Sequence, residues 1–436
     1  MKSNRLLAPL VVVQALLGAR VLARMARGAG GRRISAVSAG PEGVDELAVI
    51  VPVLNEYDRL APCLDGLIAQ GAEVREILVV DGGSHDGTQE LVSAYSARDA
   101  RVRLVDASPV PRDWNGKAWG LQVGLEQGAP DAPWVLTIDA DVRPAASLAR
   151  SLLAFARRED VPALSVATGQ EVNGLLAGLL HPALLTTIVY RYGPPGHAVR
   201  RVSAAQANGQ CFLARRAALE RCQAFVVARA SVCEDVTVAR ALVAAGYAVG
   251  FYEGYKGESL VSVEMYRDWR DAWHNWPRSL PMRDQYSGLG AILGLCEVTL
   301  TQALALPLFL LLLVRWLTPH SHPTRIGLAP LSRGQGERAG LSAPRLGDEG
   351  PVSRGVGVGV RGPRGEGLLP ALAVNGALAA VRLGVLAGTA RAYRRVPPTY
   401  WLSPLCDVPV ALRLWSSVFW RHHTWRGRVL VTGGTL

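Results

Sequence analysis

Between residues 47 and 141, short apolar runs alternate with helical patterns, and each apolar run ends in polar residues. The runs are LAVIVPVLNE, EILVVDGG and WVLTIDAD, with WNGKAWGLQVGLEQG before the last of them. Apolar runs of about four to eight residues read as buried strands, and the longer periodic stretches between them read as helices. The pattern predicts strands over 47–52, 74–80, 101–105 and 133–138, and helices over 57–69, 86–97, 116–127 and 145–157. Strand and helix in alternation predict βαβ units, hence an α/β domain with a Rossmann-like, mostly parallel sheet. Ligands of such sheets gather outside the carboxyl ends of the strands. Asp81, Asp139 and Asp141 close strands, so they are expected on one edge, at a site for a polar ligand such as a metal-bound diphosphate.

The pattern changes downstream. PALSVAT (162–168) predicts a further strand. The apolar stretch 174–192 predicts either a surface amphipathic helix or a wall of an acceptor pocket. Asn208-Gly209 predicts a turn into a strand within 205–216. A helix over 235–245 is expected to stop at Gly246, with a strand over 247–252 after it. Trp269, Trp273 and Trp276 fall at i, i+4 and i+7, on one helical face rimmed by Arg267, Arg270 and Arg278. That face suits either the headgroup level of a membrane or packing on the catalytic domain.

Long apolar stretches frame this domain. Residues 6–19 are nearly all apolar, and 289–314 carry Glu297 as their one charge. The chain divides into an N-terminal hydrophobic anchor (1–25), a linker (26–46), a catalytic domain (47–263) and an amphipathic interfacial helix (264–286). A transmembrane helix (289–316), a disordered Gly/Pro/Arg-rich loop (317–366), a second transmembrane helix (368–390) and a basic aromatic tail (391–436) complete it. The expected architecture is thus an α/β domain with an N-terminal hydrophobic helix and two C-terminal transmembrane helices. Arg24, Arg27, Arg32 and Arg33 outweigh Lys2 and Arg5, which predicts a multi-pass inner or plasma membrane protein whose catalytic domain faces the cytoplasm.

Composition narrows the partners. The 436 residues are 49% hydrophobic with a formal net charge of +11. The pI is near 9.7 and the mean hydropathy +0.17. Basic charge beside apolar segments favours membrane lipids as the partner. Aromatic and basic residues do not interleave as in a single-strand groove, so nucleic acid is not expected. The six cysteines form no CxxC pair, which argues against a zinc site or a disulfide scaffold. No GxGxxG follows the first strand and no GxxxxGK[ST] occurs, which disfavours a dinucleotide cofactor and excludes a P-loop.

Asp139-Ala140-Asp141 brackets one small residue with two carboxylates, a pattern that holds a hard divalent cation, Mg2+ or Mn2+, beside a diphosphate. Asp81 before Gly82-Gly83 suits a ribose or base edge, and Pro52, Asn55 and Glu56 close the first strand where a nucleoside would lie. Asp86 suits the cap of the next helix. Lys117 is a point charge for a phosphate or a solvated lysine. Glu234-Asp235 at a helix start is either an ordinary cap or a general base for an acceptor hydroxyl.

The order PVLNE, DGGSHDGT, WNGKAWG, DAD, GQ and CED resembles the family 2 glycosyltransferases with the GT-A fold. The resemblance covers roughly 47–315. The apolar C-terminal segments and the closing WRGR are similar to membrane-bound members acting on lipid or carotenoid acceptors. It implies a nucleotide-sugar donor, with UDP-sugars first in line, a divalent metal, and transfer with inversion. It further implies that Pro52, Asn55 and Glu56 hold the nucleoside and that Asp81 contacts the base. Asp139 then serves ribose, diphosphate and metal, Asp141 the metal, and Asp235 the acceptor proton, with Glu234 shaping the site. Lys117, Gly209 and Gln210 become donor or acceptor contacts. The Q/R-x-x-R-W element of processive members is unmatched, for WHNWPR stands at 273–278.

The expected function is an inverting glycosyltransferase acting on a lipophilic membrane alcohol such as a carotenoid, a terpenoid or another lipid. Its rivals are a polyprenyl-phosphate glycosyltransferase, for which Arg200 and Arg201 offer a basic cluster, or a polysaccharide synthase. The non-enzyme rival is an inactive nucleotide-sugar-binding scaffold. That rival predicts the loss of Asp139, Asp141 or Asp235, and all three are present.

Overall fold

The computed structural model of the protein describes residues 3–38, 46–254, 259–280, 285, 288–318, 368–419, 422–425 and 428–431. A 27-residue helix, α1 (Ser3–Ala29), leads into the domain. Strands β1 (Leu47–Val53), β2 (Val74–Asp81), β3 (Val102–Asp106) and β4 (Trp134–Ile138) follow. Between them lie α2 (Tyr57–Ile68), α3 (Thr88–Arg98) and α4 (Gly116–Gln127). Next come β5 (Val142–Pro144), α5 (Leu148–Arg158), β6 (Ala163–Ala167), β7 (Gly169–Gln170), α6 (Leu175–Tyr192) and β8 (His197–Val199). The domain closes with β9 (Cys211–Arg215), α7 (Arg216–Arg221), α8 (Ala224–Val227), α9 (Glu234–Ala244), β10 (Val249–Glu253) and β11 (Val261–Val263).

The main sheet has eight strands in the order β3-β2-β1-β4-β9-β6-β10-β8. It is mixed. Pairings β3–β2, β2–β1, β1–β4 and β6–β10 are parallel, whereas β9 runs antiparallel to β4 and β6, and β8 runs antiparallel to β10. Hydrophobic period identifies a strand and not its direction. The chain enters β9 through Asn208-Gly209 at the edge where β4 ends, so β9 can only run back. A second sheet, β5-β11-β7, sits beside it.

Apolar runs are continuous because both faces of the sheet are covered. Val49, Val51, Ile77, Val79, Leu136 and Ile138 pack on one face against Leu60, Leu64 and Leu67 of α2 and Leu152 of α5. Ile50, Leu78, Val80 and Val135 pack on the other against Leu121 and Leu125 of α4 and Leu242 of α9. The order of strands reverses between β1 and β4, and a crevice opens there. Ladder pairing of β1 with β4 ends at Ile50–Thr137, ahead of Pro52.

The helical layer departs from expectation. α10 (Trp269–Ser279) forms as the tryptophan spacing predicts. Its buried Trp276 and Ala272 pack with Leu180 and Leu184 of α6 and with Val410 and Leu414 of α14 (Asp407–Phe419). The stretch 289–316 is not one helix. α11 (Gly288–Val298) passes into a π turn over Thr299–Ala303, and α12 (Ala305–Leu317) leaves at 44°. Pro307 has no N–H, and its ring crowds the carbonyl of residue 303, so the i→i−4 ladder cannot run through. Leu304 N donates to Thr299 O at 2.9 Å instead, an i→i−5 bond. Among the described residues, two single helical segments have the length and composition to cross a membrane: Leu7–Gly28 within α1, and Leu368–Ala392, which contains α13 (Leu368–Thr389). Among the described residues the C-terminal half therefore supplies one such helix rather than the two expected. The loop expected over 317–366 lies outside the described residues from 319 onward, as does the Arg426-Gly427 pair of the closing motif. A hairpin of β12 (His422–Trp425) and β13 (Arg428–Val431) follows α14.

Candidate active site

Each strand that ends at the crevice delivers one or two polar side chains. Asn115 caps α4, accepting from Lys117 N at 3.0 Å and donating to Ser231 O at 2.9 Å. This cap sets Lys117 on the first turn of α4, aimed across the ends of β4 and β9. Its Nζ lies 2.7 Å from Asp139 Oδ1 and 2.8 Å from Glu234 Oε1. Burial opposes the ammonium, but Asp139, Glu234 and Asp235 outweigh it and hold the Lys117 pKa above the ordinary lysine value.

Asp141 sits two residues beyond Asp139 with a different environment. Its Oδ2 is 3.8 Å from an Arg59 Nη1, while its Oδ1 is buried and makes no hydrogen bond. Burial, then the charge of Asp139, pushes the Asp141 carboxyl up to about 7, and Arg59 works against this. A buried carboxylate oxygen with no donor is the group a cation would satisfy. Among the described residues no group of three or more His, Cys, Asp or Glu side chains could hold a metal. Two carboxylates suffice for Mg2+ when waters and substrate phosphates complete the shell. The residues present therefore fit a divalent ion that arrives with a diphosphate.

Glu234 and Asp235 open α9, where the helix dipole favours carboxylates. Asp235 Oδ2 accepts from Gly209 N at 2.8 Å and Oδ1 accepts from Val236 N at 2.8 Å. Burial, then Glu234, pushes Asp235 up to about 7 against the pull of Lys117 and those two N–H groups. Such a carboxylate gains and loses a proton near neutral pH, as a general base requires. A Cβ on Gly209 would stand 2.8 Å from Lys117 Nζ and 3.2 Å from Asp235 Cβ, so a side chain there would displace the lysine head. Gln210 is buried. Its Oε1 accepts from Thr168 Oγ1 at 2.6 Å and from Asn208 Nδ2 at 3.0 Å, and its carbonyl accepts from Asp139 N at 3.3 Å. It braces the Asp139 backbone more than it faces the cavity.

The end of β1 is knotted to the loop after β2. Asn55, at φ 54°, donates from its backbone N to Ser84 Oγ and accepts at Oδ1 from His85 N. Glu56 Oε2 pairs with Arg59 at 3.0 Å. Asp81 is fully buried and takes hydrogen bonds from Ser84 N at 3.0 Å and Gln89 Nε2 at 2.6 Å. It holds the loop that carries Gly82, and Gly82 rather than Asp81 lines the cavity. Asp86 stands one residue before Gly87, the N-cap of α3, and accepts from Thr88 N at 3.1 Å.

These groups share one cavity of about 1320 Å³. Pro52, Asn55, Glu56, Lys117, Asp139, Asp141, Gly209, Gln210, Glu234 and Asp235 line its polar end. Leu22 and Met25 of α1, Leu185, Ile188 and Val189 of α6, and Val381 and Val385 of α13 form an apolar wall. The stretch 174–192 is thus a wall of the cavity, one of the two expectations for it. Sequence reasoning missed Arg59, although its i+3 spacing from Glu56 was visible. It also missed Glu253, which closes β10 as Asp139 closes β4. Arg200 and Arg201 are not among the lining residues; Arg200 borders a separate cavity of about 470 Å³ with Arg157 and Arg215.

Against known proteins, residues 48–222 match the profile of glycosyl transferase family 2. The matched segment runs from β1 to just past α7. A lipopolysaccharide core biosynthesis glycosyltransferase of Rhizobium meliloti is 33% identical over 131 residues, 30% of this chain and 41% of the relative. An undecaprenyl-phosphate 4-deoxy-4-formamido-L-arabinose transferase of Pseudomonas aeruginosa is 34% identical over 106 residues, 24% and 30% of the two chains. A dolichyl-phosphate beta-glucosyltransferase of Trichomonas vaginalis is 32% identical over 100 residues, 21% and 28% of the two. The chain spans less than half the length of these curated relatives. Among solved structures, a mannosyltransferase from Pyrobaculum calidifontis in complex with GDP-Man and Mn2+ is 16% identical with a TM-score of 0.46, covering 94% of this chain and 97% of that one.

Proposed function

We propose that the protein is a metal-dependent glycosyltransferase that moves a sugar from a nucleotide-sugar onto an acceptor held in the membrane. One observation carries this reading: a single cavity joins a carboxylate–lysine cluster at the strand ends to an apolar wall built by α1, α6 and α13. Of these, α1 and α13 have membrane-spanning length. The nucleoside of the donor rests at Pro52, Asn55, Glu56 and the Gly82 loop. A divalent ion bound by Asp141 and Asp139 would neutralise the diphosphate as leaving group. Lys117 adds a positive charge next to Asp139 and orients Glu234. Asp235 takes the proton from the acceptor hydroxyl. The freed oxygen bonds to the anomeric carbon from the face opposite the diphosphate. The bond to the diphosphate breaks, and its electron pair leaves with the nucleoside diphosphate. The catalytic domain faces the cytoplasm, where nucleotide-sugars are made available to it.

The acceptor has two readings. A carotenoid, terpenoid or other lipid alcohol suits the apolar wall and a base at Asp235. A polyprenyl phosphate is favoured by the names of two relatives, which act on undecaprenyl and dolichyl phosphates. The test is release of nucleoside diphosphate from UDP-, GDP- and dTDP-sugars by membranes carrying the protein, with Mn2+, Mg2+ or EDTA and with extracted lipids. Turnover of one donor, lost in EDTA, with label in the organic phase, is the expected outcome. Label confined to water-soluble polymer overturns the lipid acceptor in favour of polysaccharide synthesis.

A further inference from the structure

One face of α10 carries polar groups that the transfer chemistry leaves unused. Asp268 caps this helix, accepting from Arg270 N at 2.7 Å and from Asp271 N at 2.9 Å. Within the helix Asp271, Asn275 and Ser279 recur every four residues, so they share one face. All three line the cavity, as does Arg267 just before the cap. Asp271 Oδ2 accepts from Arg267 N at 3.1 Å, and its Oδ1 accepts from Asn275 Nδ2 at 2.6 Å. Among the described residues no cation pairs with Asp271, and each of its oxygens keeps a second lone pair. The bond to Asp271 turns the Asn275 nitrogen toward the carboxylate and leaves the amide oxygen for another donor.

The two ends of α10 fix where this face lies. At one end Arg267 Nη2 donates to Asp58 Oδ2 on α2 at 3.1 Å, two residues beyond Glu56. At the other end Cys233 Sγ donates to Ser279 O at 3.6 Å, and Glu234 and Asp235 follow Cys233 in the chain. The helix thus runs from the nucleoside end of the cavity to the base, and Asp271 to Ser279 covers about 12 Å of that path. A donor sugar has to lie along it, because its anomeric carbon must stand between the diphosphate at Asp141 and the acceptor oxygen at Asp235. Leu22, Leu185, Val189 and Val385 of the apolar wall offer a sugar no side-chain hydrogen bond. Asp271 and Asn275 both present acceptor oxygens, which suit hydroxyl groups. Asp271 also adds a negative charge to those at the strand ends, and like charge disfavours a sugar that carries its own carboxylate.

We infer that Asp271 and Asn275 read hydroxyl groups of the transferred sugar and make the donor site selective for a neutral hexose over a uronic acid. The inference rests on the nucleotide-sugar reading and names the class of sugar that the site admits. The test uses the full chain in phosphatidylcholine nanodiscs with Mg2+ and without acceptor lipid. It measures binding of UDP, UDP-glucose and UDP-glucuronate, and of GDP, GDP-mannose and GDP-mannuronate. In the nucleotide series that binds, wild type is expected to hold the neutral sugar at least about tenfold more tightly than its uronate, as like-charge repulsion allows. Asp271→Asn should narrow that gap by strengthening the uronate. Asn275→Leu should weaken both sugars roughly tenfold, the loss of one hydrogen bond. Affinity for UDP or GDP alone should stay unchanged in both variants. A gain in one variant and a loss in the other, over a constant nucleotide affinity, are not produced by misfolding. Equal binding of hexose and uronate by wild type, or an intact gap in Asp271→Asn, overturns the inference and leaves the nucleotide-sugar reading standing. Unchanged sugar affinity in Asn275→Leu overturns it as well and leaves this face of α10 to the acceptor. Failure of every UDP and GDP ligand to bind sinks the nucleotide-sugar reading itself, and the sugar subsite with it.

Discussion

The strand-end cluster and the helical layer both bury charge, and they treat it in opposite ways. At the strand ends, Lys117 serves Asp139 and Glu234, Asp235 is crowded by Glu234, and Asp141 keeps a buried oxygen with no donor. Among the described residues, Glu56, Asp139, Asp141, Glu234 and Asp235 share Lys117 and Arg59 there, an excess of negative charge that a divalent cation would reduce. In the helical layer the buried Arg382 and Asp407 are matched to each other. Arg382 Nε lies 2.7 Å from Asp407 Oδ2, its Nη2 2.9 Å from Oδ1, and Gln302 Nε2 adds a bond of 2.8 Å. Gln14 and Asn375 exchange hydrogen bonds of 3.1 and 3.2 Å, and Glu297 pairs with Arg24. Buried charge left unbalanced marks where a ligand is received, and buried charge in matched pairs marks where helices are joined.

The strongest break in this comparison is Asp235→Asn. Loss of a general base costs on the order of a thousandfold in turnover. Donor binding should persist, because the donor contacts proposed above do not include Asp235. Stability should move the other way. The folded pKa of Asp235 lies near 7, above its ordinary 3.8, so ionisation is disfavoured in the folded chain. The stability this residue allows is whole below pH 4 and lost as pH rises toward 7. Asparagine removes the loss, so the melting temperature of Asp235→Asn should exceed wild type by a margin that grows from pH 4 to 7 and then levels. A variant that melts lower than wild type at pH 8 would assign Asp235 to structure.

Arg382→Leu tests the other region. It leaves Asp407 buried without its cation, which costs about 3–5 kcal/mol where such pairs are broken on one side. Melting in detergent should fall sharply, while turnover per folded molecule changes little. The double change with Asp407→Leu should recover most of the loss, because a matched apolar pair replaces a matched charged one. If the double variant melts as low as the single, the pair is not what joins α13 to α14.

How far each region was legible follows from the same contrast. Asp139, Asp141, Lys117 and Asp235 stand beside strand ends or helix starts, so a short window of sequence shows both the element and the exposed chemistry. The helical pairs join Gln14 to Asn375, Arg24 to Glu297 and Arg382 to Gln302 through Asp407, across long separations that no local period records. Arg382 interrupts the apolar run 368–390 and Glu297 the run 289–314, and neither run shows which residue balances the charge. The break at Pro307 was written in the sequence, but the apolar run around it hid a bend that only the missing N–H explains. Direction escaped as well: the antiparallel course of β9 depends on which edge the Asn208-Gly209 turn occupies.

A smaller effect is read from pH. Asp235 must be ionised to accept a proton, and its pKa is near 7. The acceptor-dependent rate should rise about tenfold per unit below that value and flatten above it. The Arg382→Leu variant should keep the same profile, since its charge pair does not belong to the cavity's acid–base group. A profile that shifts with Arg382 would join the two regions that the contacts separate.

The finest comparison sets one glycine from each region side by side. A methyl at Gly209 meets Lys117 Nζ at 2.8 Å and Asp235 Cβ at 3.2 Å, whereas a methyl at Gly388, within α13, meets nothing within 4 Å. Gly209→Ala should therefore push the lysine off its carboxylates and lower kcat/KM by roughly fivefold, which corresponds to about 1 kcal/mol. Gly388→Ala should raise stability by up to about 1 kcal/mol, the difference in helix propensity between the two residues. Melting and kinetics of the two variants read this directly. Activity should fall without a change in melting for Gly209→Ala, and melting should rise for Gly388→Ala. Were Gly388→Ala to lower transfer while melting rises, the open space at Gly388 would be occupied during turnover, and the apolar wall would belong to the acceptor's path rather than to the helix packing alone.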